Sequence, residues 1–340
     1  MIARFSASLM WNPFKKSAKA HNTPASTPRP LAPSVPSERK HNTSLGEPSG
    51  VDCNFVSRLI GCKVLHDQAL APNETKLLLS IRNWAHSAQA IVALPRLPAT
   101  LPKLMKLLRR EELSVPELAE HLSSDPALLG ETMRIANSPF YRSACPVASV
   151  ADALQMIGQT GLSQLVTRVA IGPVFGAQQG RFSKSATGTL WEHAQRCAHA
   201  CGWLSRGEGD AFDAYLVGMV AGTGFVVVLR MLDREMHDQQ TPCAKDFYSA
   251  VHDCGVLLSA KVAQQWGLPQ QVVQALLTRV PQAHVAASTP LAMAVQRADR
   301  CAKLVLLHRS QALYEASNAD DLACVQEILR SFPDAPSTAG

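Results

Sequence analysis

The run from Ala214 to Leu229 is sixteen residues long and contains no charged side chain. A stretch this apolar has three outlets: a membrane span, a buried strand, or a helix at the centre of a folded domain. A spanning helix needs about 20 apolar residues, and Gly218, Gly222 and Gly224 dilute this run further, which argues against the first. The β-branched Val226, Val227 and Val228 leave a short strand open over Phe225 to Leu229, because periodicity does not separate strand from helix over so few residues. The central helix is the reading that the rest of the chain favours.

Elsewhere the apolar residues recur at helical spacing. Leu77, Ile81, Trp84, Ala85, Ala88, Ile91 and Val92 line one face of a helix that Leu94-Pro95 should break. Ser114 with Glu117 forms a capping-box pattern, and Asp125 before Pro126 pairs an N-cap with proline at the first helical position. Ser149 can cap a helix through Ala153, Leu154 and Ile157 that Gly158 ends. Leu190, Ala194, Cys197, Ala198, Cys201 and Leu204 mark a long helix. Trp266, Leu268 and Pro269 separate two more, and Leu291, Ala294, Val295, Ala298, Ala302 and Val305 line a late one. A last surface helix is expected over Asp320 to Leu329, capped near Asn318. No internal repeat and no convincing alternating strand is present, so the predicted class is all-α.

Charge narrows the function. Residues 1 to 50 hold seven basic and two acidic groups, whereas the remaining 290 are nearly neutral at +1. No Lys/Arg stripe follows residue 50, which argues against nucleic-acid binding by the folded part. The tail is rich in Pro, Ser and Thr and buries too little apolar surface to offset its ordering entropy, so it is expected to be disordered. Ile2, Phe5 and Leu9 could line a short basic helix touching a membrane surface, but Pro13 cuts it off. The segment from Met1 to Lys19 lacks the continuous apolar core of an export signal. Nine scattered cysteines with no CxxC pair point to a reducing, cytoplasmic compartment.

From about Leu94 to Val280 the chain resembles the HDOD family, regulatory relatives of the HD metal-dependent phosphohydrolases. The matching residues are Leu94-Pro-Arg-Leu-Pro98, a short helix from Leu101 to Leu108, Ser124-Asp-Pro-Ala-Leu128, and above all Met133-Arg-Ile-Ala-Asn-Ser-Pro-Phe-Tyr141. Val147, Ser149, Val150, Ala153, Leu154 and Ile157-Gly158 continue it, followed by Leu190-Trp191 with His193, Leu216-Val-Gly-Met219 and Trp266-Gly-Leu-Pro269. The resemblance implies a compact multi-helix HDOD/HD-like bundle. It suggests a basic tail over 1–50, an accessory helical segment over 51–92, the HDOD domain over 93–285, C-terminal helices over 286–330 packing on it, and a disordered tail over 331–340.

The same resemblance implies a loss. Catalytic HD proteins hold a divalent metal through an adjacent His-Asp pair and further His and Asp residues. Here the pair's place in Val217 to Gly224 is taken by Ala221 and Gly222, which neither ligate a metal nor relay a proton. His193 and Asp299 match metal-binding positions and are the vestigial metal candidates; Arg279-Val280 stands where a His-His pair is frequent, and His252 misses an expected histidine position by three residues. Cys197 and Cys201 follow His193 on one helical face and could in principle join it around zinc, although a buried core face explains all three more simply. Gly222-Thr-Gly224 lacks the strand, further glycines and lysine of a phosphate loop, so tight helix packing is its expected role. Ser138 and Cys145 have no base motif beside them.

The expected function is therefore a non-catalytic, cofactor-free regulatory module acting through a signalling protein partner, with Asn137, Ser138, Tyr141 and Arg142 as partner-facing candidates near a loop. The alternatives are an HD-type metal-dependent phosphohydrolase, or a nucleotide-sensing domain that binds without hydrolysis.

Overall fold

Each helix boundary in the first part of the chain has a local cause. The computed structural model describes residues 50–95, 119–120, 122–123, 126–137, 147–176, 179–207, 209–236, 241–281, 289–308 and 311–332. The basic tail, the Leu101–Leu108 helix, the Ser114/Glu117 capping pattern, Asp125 and the last eight residues lie outside them. Helix α1 (Gly50–Ile60) stops at Gly61, whose φ of 81° lets the amides of Gly61 and Cys62 turn back onto the Ser57 carbonyl. Helix α2 (Pro72–His86) opens with proline at its first position, and Glu74 reaches back to accept the Ala71 amide at 2.9 Å.

The single helix expected through Val92 is in fact two. Helix α3 (Ala88–Ala93) is separated from α2 by Ser87, whose amide and hydroxyl both donate to the Trp84 carbonyl, at 2.9 and 2.8 Å. A serine that satisfies the backbone locally competes with helix continuation, and apolar periodicity carries no trace of that.

Glu74 also ties distant segments together. Its other oxygen accepts the amides of Cys243 at 2.8 Å and Ala244 at 3.3 Å, next to the isolated parallel bridge between His66 and Ala244. Burial alone would raise this carboxyl, but the three backbone donors outweigh it and hold Glu74 below the ordinary carboxylate range. Hydrogen bonds to a charged group are each worth about 1.5–3 kcal/mol, so Glu74→Ala is expected to destabilise the chain by about 2–3 kcal/mol in urea denaturation. The wild-type advantage is present above the ordinary glutamate value and fades as pH falls through the depressed one; equal stability of the two proteins at neutral pH would refute this.

Helix α4 (Pro126–Ala136) packs on α5 (Val150–Gly176), where Glu131 pairs with Arg168. Ser149 caps α5 by accepting the Asp152 amide at 3.0 Å. Gly158, at φ 73°, ends the first helical piece as expected, yet a second piece resumes directly and runs to Gly176.

The centre is α6 (Arg181–Leu204), which contacts α1, α5, α7 (Ala211–Val220), α8 (Thr223–Glu235), α11 (Pro290–His308) and α12 (Ala319–Ser331). Its free N-terminal amides at Phe182 and Ser183 are taken by the Asp233 carboxylate of α8, at 2.6 and 3.1 Å. Helix α9 (Lys245–Gln265) ends through Gly267 at φ 61°, and α10 (Gln270–Leu277) follows after Pro269, as the Trp266/Pro269 punctuation implied. Trp266 donates its indole N–H to the Pro95 carbonyl at 2.7 Å. Asn318 caps α12 through the Asp321 amide.

The charge-free run forms helix rather than strand throughout, since Phe225 to Leu229 belong to α8. Residues Ala211–Glu235 together are long and apolar enough to cross a membrane by length and composition, but 94% of the apolar window is buried inside the protein. Buried apolar side chains from Cys53 to Phe332 form one continuous core. Among the described residues the molecule is helical, with no strand beyond that isolated bridge.

Candidate functional site

Helices α7 and α8 are held almost in backbone contact with their neighbours by glycine. A Cβ on Gly218 would lie 2.5 Å from Ala198 Cα, and one on Gly224 would lie 2.1 Å from the Gly255 carbonyl oxygen. This close packing is the role expected for Gly224. Ala221 and Gly222 are not inside a helix, as the run suggested, but form the turn between α7 and α8. Ser259 of α9 clasps that turn: its hydroxyl oxygen accepts the Gly224 amide at 2.9 Å and lies 2.9 Å from the Ala221 carbonyl.

The turn abuts His193. A Cβ on Gly222 would stand 3.1 Å from His193 Nδ1, a nitrogen with no hydrogen-bond partner among the described residues. The other nitrogen, Nε2, is 3.0 Å from Asp299 Oδ1 on α11. Burial lowers the His193 pKa against the pull of Asp299, and the nearby cations Lys303 and Arg279 lower it further. His193 is therefore a neutral imidazole, and the two residues singled out from the family's pattern do meet.

What they meet around is a set of charges that the sequence reading did not assemble. Asp299 Oδ2 is 2.6 Å from the Lys303 ammonium and 2.8 Å from the Arg279 guanidinium. Lys303 also reaches Asp52 Oδ1 on α1 at 2.7 Å and His252 Nε2 on α9 at 3.0 Å. An ammonium has three hydrogens and only donates, so Nε2 is the acceptor in that contact, and the same nitrogen lies 3.3 Å from Asp52 Oδ1. Lys303 is completely buried, with the rings of Phe55 and Phe225 at 5.4 and 6.0 Å from its nitrogen.

The electrostatics close on themselves. Burial would raise Asp299 and Asp52, but the adjacent cations, with Arg279 and Lys303 foremost at Asp299 and Lys303 at Asp52, hold both carboxyls well below the ordinary range. Burial would likewise lower Lys303 and Arg279, and Asp299 reverses this for each, so both stay charged. Two carboxylates thus face two cations, Asp299 and Lys303 buried and Asp52 at the partly exposed rim, in surroundings where a lone buried charge would be costly.

Two groups of donor atoms have the reach to hold a metal: His193, Cys197 and Asp299, and Asp52, His252 and Asp299, each with its ligand atoms within 4.8 Å of one another. Cys201, although buried on the same face of α6 as Cys197, belongs to neither. Both groups depend on Asp299, whose Oδ2 is held by two cations, and the Lys303 ammonium contacts all three members of the second. As arranged, the second group does not fit a divalent ion, because the Lys303 ammonium takes up the donors that would bind it, whereas in the first group the cations hold only Asp299 Oδ2 and leave Oδ1 facing His193.

Two signals could have found the missing members. His252-Asp253 is an adjacent His-Asp pair in plain sight, of which His252 faces the centre. Lys303 lies four residues beyond Asp299, on the same face of the late helix. Asp52 has no such signal, since only folding brings α1 to α11. Of the partner-facing candidates, Asn137 is exposed, and its amide bridges to Val147, donating to its carbonyl at 3.0 Å and accepting its N–H at 2.7 Å. Ser138, Tyr141 and Arg142 lie outside the described residues.

Comparison with known proteins identifies the family. The HDOD domain profile matches residues 94–279. An uncharacterized protein of Treponema pallidum (strain Nichols) is 23% identical over 233 residues, which cover 65% of this chain and 42% of that protein, so the chain spans less than half the length of this relative. An HDOD domain protein of unknown function from Geobacter sulfurreducens shares the fold with a TM-score of 0.50 at 20% identity, over 76% of this chain and 94% of that one. A candidate metal-dependent phosphohydrolase from Shewanella amazonensis SB2B aligns with a TM-score of 0.51 at 18% identity, over 77% and 99%. The profile spans more than half of the sequence and runs through α6 to α9 and the Arg279 that closes on Asp299, and on that match the chain belongs to the HDOD family.

Proposed function

We propose that this chain is a non-catalytic regulatory module that works by protein–protein contact in a bacterial signalling pathway. One observation carries the reading: the carboxylate that a hydrolytic centre would direct at a metal, Asp299, is neutralised by Arg279 and Lys303, beside a turn of Ala221 and Gly222 that supplies no ligand. A water-activating metal needs an open position and committed ligands, and this centre offers neither. The helical body then serves as a rigid scaffold whose surface meets a signalling protein. The eight cysteines among the described residues are all free, in keeping with a cytoplasmic setting.

The test is hydrolysis by the purified full chain of cyclic dinucleotides, nucleotides and a generic phosphodiester, with Mn²⁺, Mg²⁺ or Zn²⁺ added. The expected result is no turnover above buffer and no difference between wild type and His193→Ala. Metal-dependent turnover that His193→Ala abolishes would overturn the proposal.

A nucleotide held without hydrolysis is the weaker alternative, because the centre is filled by side chains. The Phe55 ring packs 4.9 Å from the His193 ring, and Lys303 lies beneath it. Thermal midpoints across a nucleotide panel are accordingly expected to stay flat, whereas a dose-dependent rise would favour the sensing role.

A further inference from the structure

We infer that Lys303 is a tethered stand-in for a metal ion: Asp52, His252 and Asp299 form a cation cage, which the chain fills with its own ammonium group. The geometry is that of a coordinated cation stretched to hydrogen-bond length. Three ligand atoms from three helices converge on one nitrogen at 2.7, 3.0 and 2.6 Å, where a bound divalent ion would draw similar atoms to about 2.0–2.6 Å. The ammonium has three hydrogens for these three acceptors, so none of its donors is left over.

Charge supports the same conclusion. Asp52 and Asp299 together need two positive charges, which Lys303 and Arg279 supply between them, the amount that one divalent ion carries. The replacement also stitches the fold. Asp52 belongs to α1, upstream of the family domain, so the cage closes only when that helix is docked against α9 and α11. A soluble metal can be lost to a competitor, whereas a lysine on the scaffold cannot, which makes the docking of α1 independent of metal supply.

This inference rests on the non-catalytic reading of the same centre, and the two fail separately. Turnover by the wild-type protein overturns that reading, while the metal response of two variants decides this one. Full-length wild type, Lys303→Ala and Asp52→Asn/Lys303→Ala are each unfolded thermally in chelator and in Mn²⁺, Ni²⁺ or Zn²⁺, and bound metal is counted after desalting.

Wild type is expected to bind no ion stoichiometrically and to show the same midpoint throughout. Lys303→Ala should fall by roughly 10 °C in chelator and recover much of that with one ion per chain. The double variant, lacking one cage carboxylate, should lose most of the metal response. The inference is overturned by a stoichiometric ion in wild type, by a Lys303→Ala protein indifferent to every metal, or by one that fails to fold with and without them. It is also overturned by an undiminished metal response in the double variant.

Discussion

Asp299→Ala is expected to destabilise the protein by about 3–5 kcal/mol, the usual result of removing one partner from a buried ion network. The loss is large because Asp299 serves three groups at once. Without it, among the described residues, Arg279 keeps no carboxylate partner within ion-pair distance, Lys303 keeps Asp52 and His252, and His193 loses the oxygen facing Nε2. Asp299→Asn preserves volume and should still cost most of this, since the missing quantity is charge.

Denaturant unfolding at neutral pH measures the effect, and a loss below about 1 kcal/mol, as for an exposed pair, would show that the network is not dry. The pH dependence carries a sign. Asp299 and Asp52 are depressed, so their contribution is complete above about pH 4 and is lost as pH falls through their folded values. Lys303 is raised, so its contribution is complete below about pH 10 and is lost as pH climbs through its folded value. The stability gap between wild type and Asp299→Ala should therefore form a plateau across the neutral range and shrink in strong acid and strong base.

The second large effect is steric. Gly224→Ala is expected to cost about 3 kcal/mol or more, at the upper end of overpacking penalties. The new methyl carbon would stand 2.1 Å from the Gly255 carbonyl oxygen and 2.3 Å from the Ser259 nitrogen. Both obstacles are backbone, so no rotamer change relieves them and α8 must separate from α9. Gly218→Ala meets the backbone of Ala198 at 2.5 Å and should behave alike. Gly188→Ala is the control: it lies in the exposed part of α6 with nothing within 4 Å of the added carbon. There the exchange removes backbone freedom from the unfolded chain and should stabilise by about 0.5–1 kcal/mol. Three equal midpoints would mean that α8 and α9 are not in backbone contact.

Much of the architecture was legible because local rules decide it. Ser149, Asn318 and the Trp266 to Pro269 punctuation act within a few residues of themselves, and each marks a helix end in the structure. Where a local rule was overlooked, as with Ser87 and its bonds to the Trp84 carbonyl, the boundary was misplaced. Phe225 to Leu229 remained ambiguous for a different reason. A short β-branched run suits a strand or a buried helix equally, and its docking against α9 through Gly224 and Gly255 selects the helix.

The centre divides along the same line. The sequence by itself determined the helical class through residue identity and short spacing, and its resemblance to the HDOD family pointed to His193, Asp299 and the ligand-free Ala221-Gly222 within the charge-free run. Only the tertiary structure decided which charges gather around Asp299. Asp52, His193, His252, Arg279, Asp299 and Lys303 are spread over some 250 residues of chain, and a lysine in a helical pattern reads as a solvated charge until folding surrounds it. Its burial follows from two acceptors and two aromatic rings contributed by other helices, together with Asp299 one turn back on its own. Periodicity within one helix carries no information about charges on its neighbours, and that is where this site is made.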